Sequence, residues 1–477
     1  MSVEARGPAL PDAPSGTPPF WTLTRVADAL KECTTSRPPT GDHRLGRVWT
    51  DTRSIQSGDL FVALSGDRFD AHDFLADAVK SGAAAVVVSR PESAKGLGVP
   101  VFQVADTREA LGALGRYRRR VWSGPVVGVV GTNGKTSTKE LIRAALDSRL
   151  EVHATHLNLN NLIGVPQTLL AIPDHADVAV VEMGTNQPGE IATLRAIAEP
   201  TIVVVTSIAE EHLEGLGDLA GVMREEMAAC DGVAVAIVPR NQPEVEAEAR
   251  RRAQRVVSAG LEGIGDSQPV THWAVDADGR GRLVVGGVEV AVPLRGVHNL
   301  RNATLALAAA SELGLSMEDA ARGIERLTVP PMRSNVDQIG KATLINDAYN
   351  SNPGSARAAI ELLVHAGGEE GKVRQRVAVL GTMLELGAAT PRYHDEIARA
   401  AVAANVDLIA GIGEFAAALE RVGAPAERTV SAPDAEAIWP KLSSRLQSNA
   451  IILLKGSRGV RLERLVPLVT RWALDAS

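Results

Sequence analysis

The feature that most constrains this chain is the run Val126–Val130 followed at once by Gly131-Thr132-Asn133-Gly134-Lys135-Thr136-Ser137. An apolar run of this length bounded by glycines predicts a buried strand. The residues from about Lys135 onward predict a helix. A glycine-rich turn between a strand and a helix offers backbone N–H groups and a positive helix end to phosphate oxygens. Lys135 adds a point charge toward the outer phosphates, and the Thr136 or Ser137 hydroxyl can hold Mg²⁺. The pattern is one glycine short of the full eight-residue loop, because Val129 stands at its first glycine position. The bland alternative is a glycine-rich turn with a solvated lysine, and the flanking strand and helix argue against it.

Buried-strand runs recur at Val178–Glu182 and Ile202–Thr206, each followed by helical material. Such βα alternation predicts a largely parallel sheet. Residues Trp273–Leu294, with Asp-Gly and Gly-Gly turns between alternating apolar positions, predict a hairpin insert, and Asn299–Leu313 predicts a return to helix. Upstream, short strands are predicted at Leu60–Ala63, Ala84–Val88 and Val101–Val104, with a helix over Phe74–Ser81. Downstream, strands are predicted at Ala342–Ile345, Val377–Leu380, Asp407–Ile412 and Ala450–Leu454, with a last helix from about Val460. Linkers at Ser123-Gly124-Pro125 and Thr328-Val329-Pro330-Pro331 divide these blocks. The expected organisation is therefore α/β in three mutually mobile domains. Residues 1–20 form a disordered arm, 21–122 a first domain, 123–327 a central phosphate-loop parallel-sheet domain, and 328–477 a Rossmann-like domain.

At 477 residues the chain exceeds one ordinary core. Its net charge of −7 argues against a nucleic-acid partner. The two cysteines, Cys33 and Cys230, are far apart and outside any C-x-x-C pair. No disulfide framework or zinc site is expected, and a reducing cytoplasm fits. No apolar run is long enough for membrane insertion.

Two further positions carry chemistry. Glu182 closes an apolar strand at the end where open α/β sheets bind ligands. His212 follows another such strand. Alone, the first is equally a polar strand terminus and the second a structural histidine.

Taken with its other motifs, the chain resembles the Mur ligases. Gly131 to Ser137 is similar to that family's ATP loop. Val180-Val181-Glu182-Met183-Gly184 is similar to the strand whose glutamate binds Mg²⁺, and Glu211-His212-Leu213-Glu214 to the segment whose histidine holds a second Mg²⁺. His298-Asn299-Leu300-Arg301-Asn302-Ala303 is similar to the segment whose second asparagine, here Asn302, contacts adenine. Asn346-Asp347-Ala348-Tyr349-Asn350-Ser351-Asn352-Pro353 resembles the signature of the members that add D-alanyl-D-alanine. It implies Asp347 near the ribose and Asn350 and Asn352 near substrate. Arg333 resembles an arginine that reaches the nucleotide, and Lys455 and Arg458 of Leu454–Arg458 resemble a loop near the reacting dipeptide. Thr52 and Arg53 resemble part of the UDP-binding domain, and Asn158, Asn160 and Asn161 resemble the segment that meets the growing peptide.

The resemblance implies an ATP- and Mg²⁺-dependent ligase of peptidoglycan precursor synthesis. It would join D-alanyl-D-alanine to UDP-N-acetylmuramoyl-tripeptide through an acyl phosphate, and the chain is read as a monomer. The sister that adds the third residue carries an Asp-Asn-Pro-Arg run, absent here. A phosphate-loop switch protein is the reading outside the ligases. Many Mur ligases carbamylate a lysine on the helix after the histidine. The corresponding residue, fourteen positions beyond His212, is Glu226, or Glu225 if the register shifts by one. A glutamate is already an anion, so it can supply that charge unmodified. Thr382 stands where the family has aspartate in Gly381–Gly387, which leaves Glu385 as the acidic residue there.

Overall fold

A computed structural model describes residues 20–66, 69–276, 279–329, 332, 335–366, 374–404 and 406–475. The arm expected over residues 1–20 therefore lies outside the described residues except for Phe20, as do Pro330, Pro331 and Arg333. By its contacts the chain forms two compact units. The first comprises residues up to 128, 151–184 and 192–201; the second comprises 129–150, 185–191 and 202–477. The units do not follow the three sequence blocks, since the middle block contributes to both.

In the first unit, strands Val48–Trp49, Leu60–Val62, Ala85–Val88 and Val101–Gln103 pair in that order, all parallel. Their valine and leucine side chains fill two clusters, one on each face. The expected helix at Phe74–Ser81 is a 3₁₀ turn, Ala71–Phe74, leading into a helix at Leu75–Lys80. The sequence reading missed the helix Thr107–Trp122. Its glycines and arginines obscure the apolar pattern, and the glycines have a packing reason. A Cβ at Gly115 would lie 2.9 Å from Pro166 Cα, and one at Gly112 would lie 2.9 Å from Ile197 Cδ1. Val152–Ala154 pairs in parallel with Val178–Glu182 in the same unit.

In the second unit, Ile202–Val205, Val235–Pro239 and Arg255–Gly260 form a parallel ribbon. The hairpin insert is present as antiparallel strands Gln268–Val275, Arg280–Val285 and Val288–Arg295. Helix Lys135–Leu146 follows the glycine-rich loop, and helix Val297–Glu312 follows the insert. A further six-stranded sheet orders as 335–339, 342–347, 451–455, 376–381, 408–412 and 429–432. Its first pair is antiparallel and the rest are parallel. The last helix starts at Val466, not near Val460, because Arg461 adopts a left-handed φ of +60° between two 3₁₀ turns. Among the described residues no helix is long and apolar enough to cross a membrane.

Both cysteines are free, and Cys230 is fully buried. Burial pushes its thiol up to about 12, so almost no thiolate exists near neutrality. Iodoacetamide at pH 8 should leave Cys230 unmodified in the native protein and label it after urea denaturation, as read by peptide mass mapping. Rapid native labelling would contradict this packing.

Candidate active site

The glycine-rich loop has the conformation its sequence requires. Gly131 and Gly134 take φ of +114° and +82°, values that favour glycine. There is no room for a side chain either. A Cβ on Gly131 would sit 2.5 Å from Thr206 Oγ1, and one on Gly134 would sit 2.9 Å from Asn302 Nδ2. The Thr132 N–H donates to the Ser207 carbonyl at 2.8 Å, and the Asn133 N–H donates to Ser207 Oγ at 3.2 Å. Ser207, which the sequence reading did not single out, thus holds the loop from the end of the neighbouring strand. Lys135 folds back, with Nζ donating to the Gly131 and Thr132 carbonyls. Thr136 is half-buried and Ser137 buried at the start of the helix.

Beneath the loop lies Glu226, 2% exposed, whose Oε2 accepts the Gly131 N–H at 2.8 Å. Burial raises its pKa, opposed by the Lys135 charge and the Gly131 hydrogen bond. Glu225, the alternative register, does a different job. Its carboxylate accepts the N–H groups of Gly189 and Ile191 and so holds the start of helix Glu190–Ala198.

Residues distant in sequence converge on this loop within the second unit. Asn352 Nδ2 donates to Asn133 Oδ1 at 2.8 Å while Asn352 caps helix Pro353–His365. Asn350 Nδ2 donates to Glu211 Oε1 at 3.0 Å. Glu211 Oε2 lies 3.7 Å from Lys135 Nζ. His212, itself left-handed at φ +53°, pairs through Nδ1 with Glu385, left-handed at φ +65°. Burial alone would lower the His212 pKa, but the Glu385 hydrogen bond and the Glu211 charge raise it. His394 fixes the segment carrying Glu385, accepting the Met383 N–H at 2.9 Å. A cleft of about 130 Å³ opens here, lined in part by Glu211, His212, Asn350, Glu385 and Arg458.

Some expected site residues are otherwise engaged. Lys455, expected near the reacting dipeptide, is 3% exposed. It sits opposite Asp347 on the adjacent strand, 2.9 Å from its Oδ2, and donates to the Asn350 carbonyl. Asp347 accordingly faces an ammonium of the protein itself. Arg458 stays exposed at the cleft, 3.7 Å from Glu463. Asn302 is buried under Gly134 and donates to Asn299 Oδ1. Thr382 accepts the N–H of Glu414, 32 residues on, at the start of helix Glu414–Arg421.

In the first unit, Glu182 is buried and its Oε1 accepts from Asn160 Nδ2 at 2.8 Å, while the Thr155 hydroxyl accepts the Glu182 N–H. Asn161 Oδ1 accepts the N–H groups of Ile163 and Gly164 where helix Gly164–Leu170 begins. Asn158 is exposed. Thr52 opens a 3₁₀ turn, and Arg53 pairs with Asp51.

Among the described residues no three acidic, histidine or cysteine side chains form a ready metal cage. Mg²⁺ does not demand one, since it keeps waters and takes phosphate oxygens. The donors present suit it. Glu211 Oε2 is buried and no hydrogen bond reaches it, and the His212 ring lies beside it.

The fold and the loop define the class, an α/β phosphate-loop protein with a second α/β sheet whose residues reach that loop. Three family descriptions match: Mur ligase family, catalytic domain, over residues 46–119; Mur ligase middle domain over 129–310; and Mur ligase, glutamate ligase domain, over 332–458. The chain belongs to the Mur ligase family. It is 37% identical over 437 residues to the UDP-N-acetylmuramoyl-tripeptide–D-alanyl-D-alanine ligase of Synechocystis, covering 89% of this chain and 92% of that one. Among solved structures it is similar to MurF from Acinetobacter baumannii, with 31% identity, TM-score 0.85, and 94% and 99% of the two chains covered. It is also similar to the MurF ligase of Thermotoga maritima in complex with ADP, with 26% identity, TM-score 0.78, and 90% and 98% covered.

The buried Lys455–Asp347 pair gives a structural test. Lys455→Met removes the ammonium beside Asp347 and should cost on the order of 2 kcal/mol of stability, reduced because Asp347 keeps some solvent. Urea unfolding of the protein alone measures it. Unchanged stability would show that Lys455 does not hold Asp347.

Proposed function

We propose that this chain is the ATP-dependent ligase that joins D-alanyl-D-alanine to UDP-N-acetylmuramoyl-tripeptide, acting as a cytoplasmic monomer. The observation that carries this is the convergence of Asn350, Asn352 and Glu385 on a phosphate loop and its His212 segment, in a chain similar over most of its length to relatives bearing that name. A binding or switch protein has no need for a second sheet to deliver side chains to the phosphates.

A carboxylate is a poor acyl donor because its leaving group is oxide. Phosphorylation by ATP supplies a better one. The peptide carboxylate attacks the γ-phosphorus, releasing ADP, and the dipeptide amine then displaces phosphate from the acyl carbon. Positioning and charge neutralisation dominate such chemistry. The remaining loop N–H groups, at the start of helix Lys135–Leu146, hold the phosphates, and Lys135 turns from the Gly131 and Thr132 carbonyls toward them. Thr136 or Ser137, Glu182 and His212 would hold Mg²⁺, which when bound would supply positive charge to offset the phosphate and carboxylate anions. Asn302, Asp347 and Arg333 serve the nucleotide. Thr52, Arg53, Asn158, Asn160 and Asn161 serve the UDP-peptide, and Asn350, Asn352 and Arg458 the dipeptide. Arg458 offers a carboxylate two parallel hydrogen bonds, whereas Lys455 acts by shaping Asp347. The three matched segments act as three domains, one for each substrate.

Mass spectrometry of a reaction with ATP, UDP-tripeptide and D-alanyl-D-alanine should show the UDP-pentapeptide. Lys135→Ala should lower its formation by at least ~100-fold while the fold survives. Absence of product with the unaltered protein, or near-normal product from the folded variant, would defeat the reading.

Glu226 takes the place of the carbamylated lysine. Its buried carboxylate under Gly131 supplies a fixed anion at the loop. Turnover should be indifferent to added bicarbonate, and Glu226→Gln should raise the Mg²⁺ concentration needed for half-maximal rate. Stimulation of the unaltered protein by bicarbonate, or an unchanged Mg²⁺ requirement in the variant, would refute this role.

A further inference from the structure

Glu211 stands immediately before His212, and none of the substrate and nucleotide roles above includes it. It is 5% exposed. One carboxylate oxygen is oriented by Asn350 at 3.0 Å, and no hydrogen bond reaches the other. That second oxygen faces Lys135 Nζ at 3.7 Å and His212 Nε2 at 3.9 Å, both beyond hydrogen-bond distance. A buried carboxylate with one oxygen unsatisfied is costly, and the protein keeps it aimed at a point between an ammonium and an imidazole. Because Glu385 takes Nδ1 of His212, Nε2 is the ring nitrogen left toward Glu211. A histidine whose first nitrogen is held by a carboxylate is oriented to use the second as a metal ligand.

The charge balance points the same way. Of two buried carboxylates at the loop, Glu211 lies 3.7 Å from the Lys135 ammonium and Glu226 feels its charge. When nucleotide phosphates draw Lys135 toward themselves, Glu211 loses its cation while staying buried. A divalent cation arriving with the nucleotide restores neutrality, and its liking for carboxylate oxygen matches the unsatisfied atom.

We infer that Glu211 is a cation ligand of this site, paired with His212 and oriented by Asn350 of the distant sheet. This rests on the ligase reading, and it replaces a site held by one histidine with a two-residue clamp. Mn²⁺ with β,γ-methylene-ATP is the probe, followed on the full chain by the electron paramagnetic resonance signal of free Mn²⁺. Glu211→Gln removes the charge at nearly the same size and should weaken Mn²⁺ binding by at least ~10-fold, with nucleotide affinity at saturating Mn²⁺ little changed. Asn350→Ala should weaken Mn²⁺ binding by several-fold, since Glu211 is then free to turn away, and it keeps the question answerable should the first variant fail to fold. Wild-type Mn²⁺ affinity in either folded variant would overturn the inference. So would a loss confined to nucleotide affinity, which would make Glu211 only a counter-ion to Lys135. The product assay on the unaltered protein separates the two claims. Missing product defeats the ligase reading, whereas product with undisturbed Mn²⁺ binding in Glu211→Gln defeats this one alone.

Discussion

The Gly131 N–H points at a buried carboxylate, that of Glu226, and the loop geometry turns on that one hydrogen bond. A left-handed glycine leaves its strand at an angle no other residue tolerates without strain, and the bond fixes which way the departing chain faces. Ser207 then holds Thr132 and Asn133 from the neighbouring strand, and Asn302 fills the space beside Gly134. With these contacts made, the remaining loop amides stand at the start of helix Lys135–Leu146, where the helix dipole favours anions. The glutamate therefore shapes the loop from below while the anion it is built to receive binds from above.

A negative group under an anion site needs compensation, which explains the crowding of charge nearby. Lys135, His212 and Glu211 lie within one small volume, and residues from the second sheet's loops partner two of them. Asn350 orients Glu211, and Glu385 pairs with His212. Two of these residues, His212 and Glu385, adopt left-handed backbone conformations uncommon outside glycine and asparagine. Such strain persists where surrounding contacts over-determine it, and here the Glu214 N–H bound to the Glu385 carbonyl supplies part of that constraint.

The strand, loop and helix around Gly131 were legible because strand length, glycine and helix periodicity are local signals. The same holds for the hairpin insert and for most strands of the last sheet. What the sequence hid was pairing across distance. Lys455 reads as an available cation until the register of two parallel strands sets it opposite Asp347. Asn161 gives no sign in sequence of the helix start three residues on, whose Gly164 N–H its side chain accepts. Glu211 was masked by the histidine beside it, although its position after a buried strand was a usable signal. Helix Thr107–Trp122 was missed because Gly112 and Gly115 break the apolar pattern where Ile197 and Pro166 press against it.

The hydrogen bond from Asn352 to Asn133 joins residues 219 positions apart. Contacts of that range close only after the intervening chain has been ordered, and the entropy of so long a loop must be overcome first. The phosphate loop and its helix can form early, from neighbours in sequence, but its polar ceiling cannot. A nascent chain released before residue 352 would carry a complete phosphate loop with none of the groups that arrive from the second sheet. In this fold the phosphate loop and the groups that cover it are separated in the order of chain synthesis.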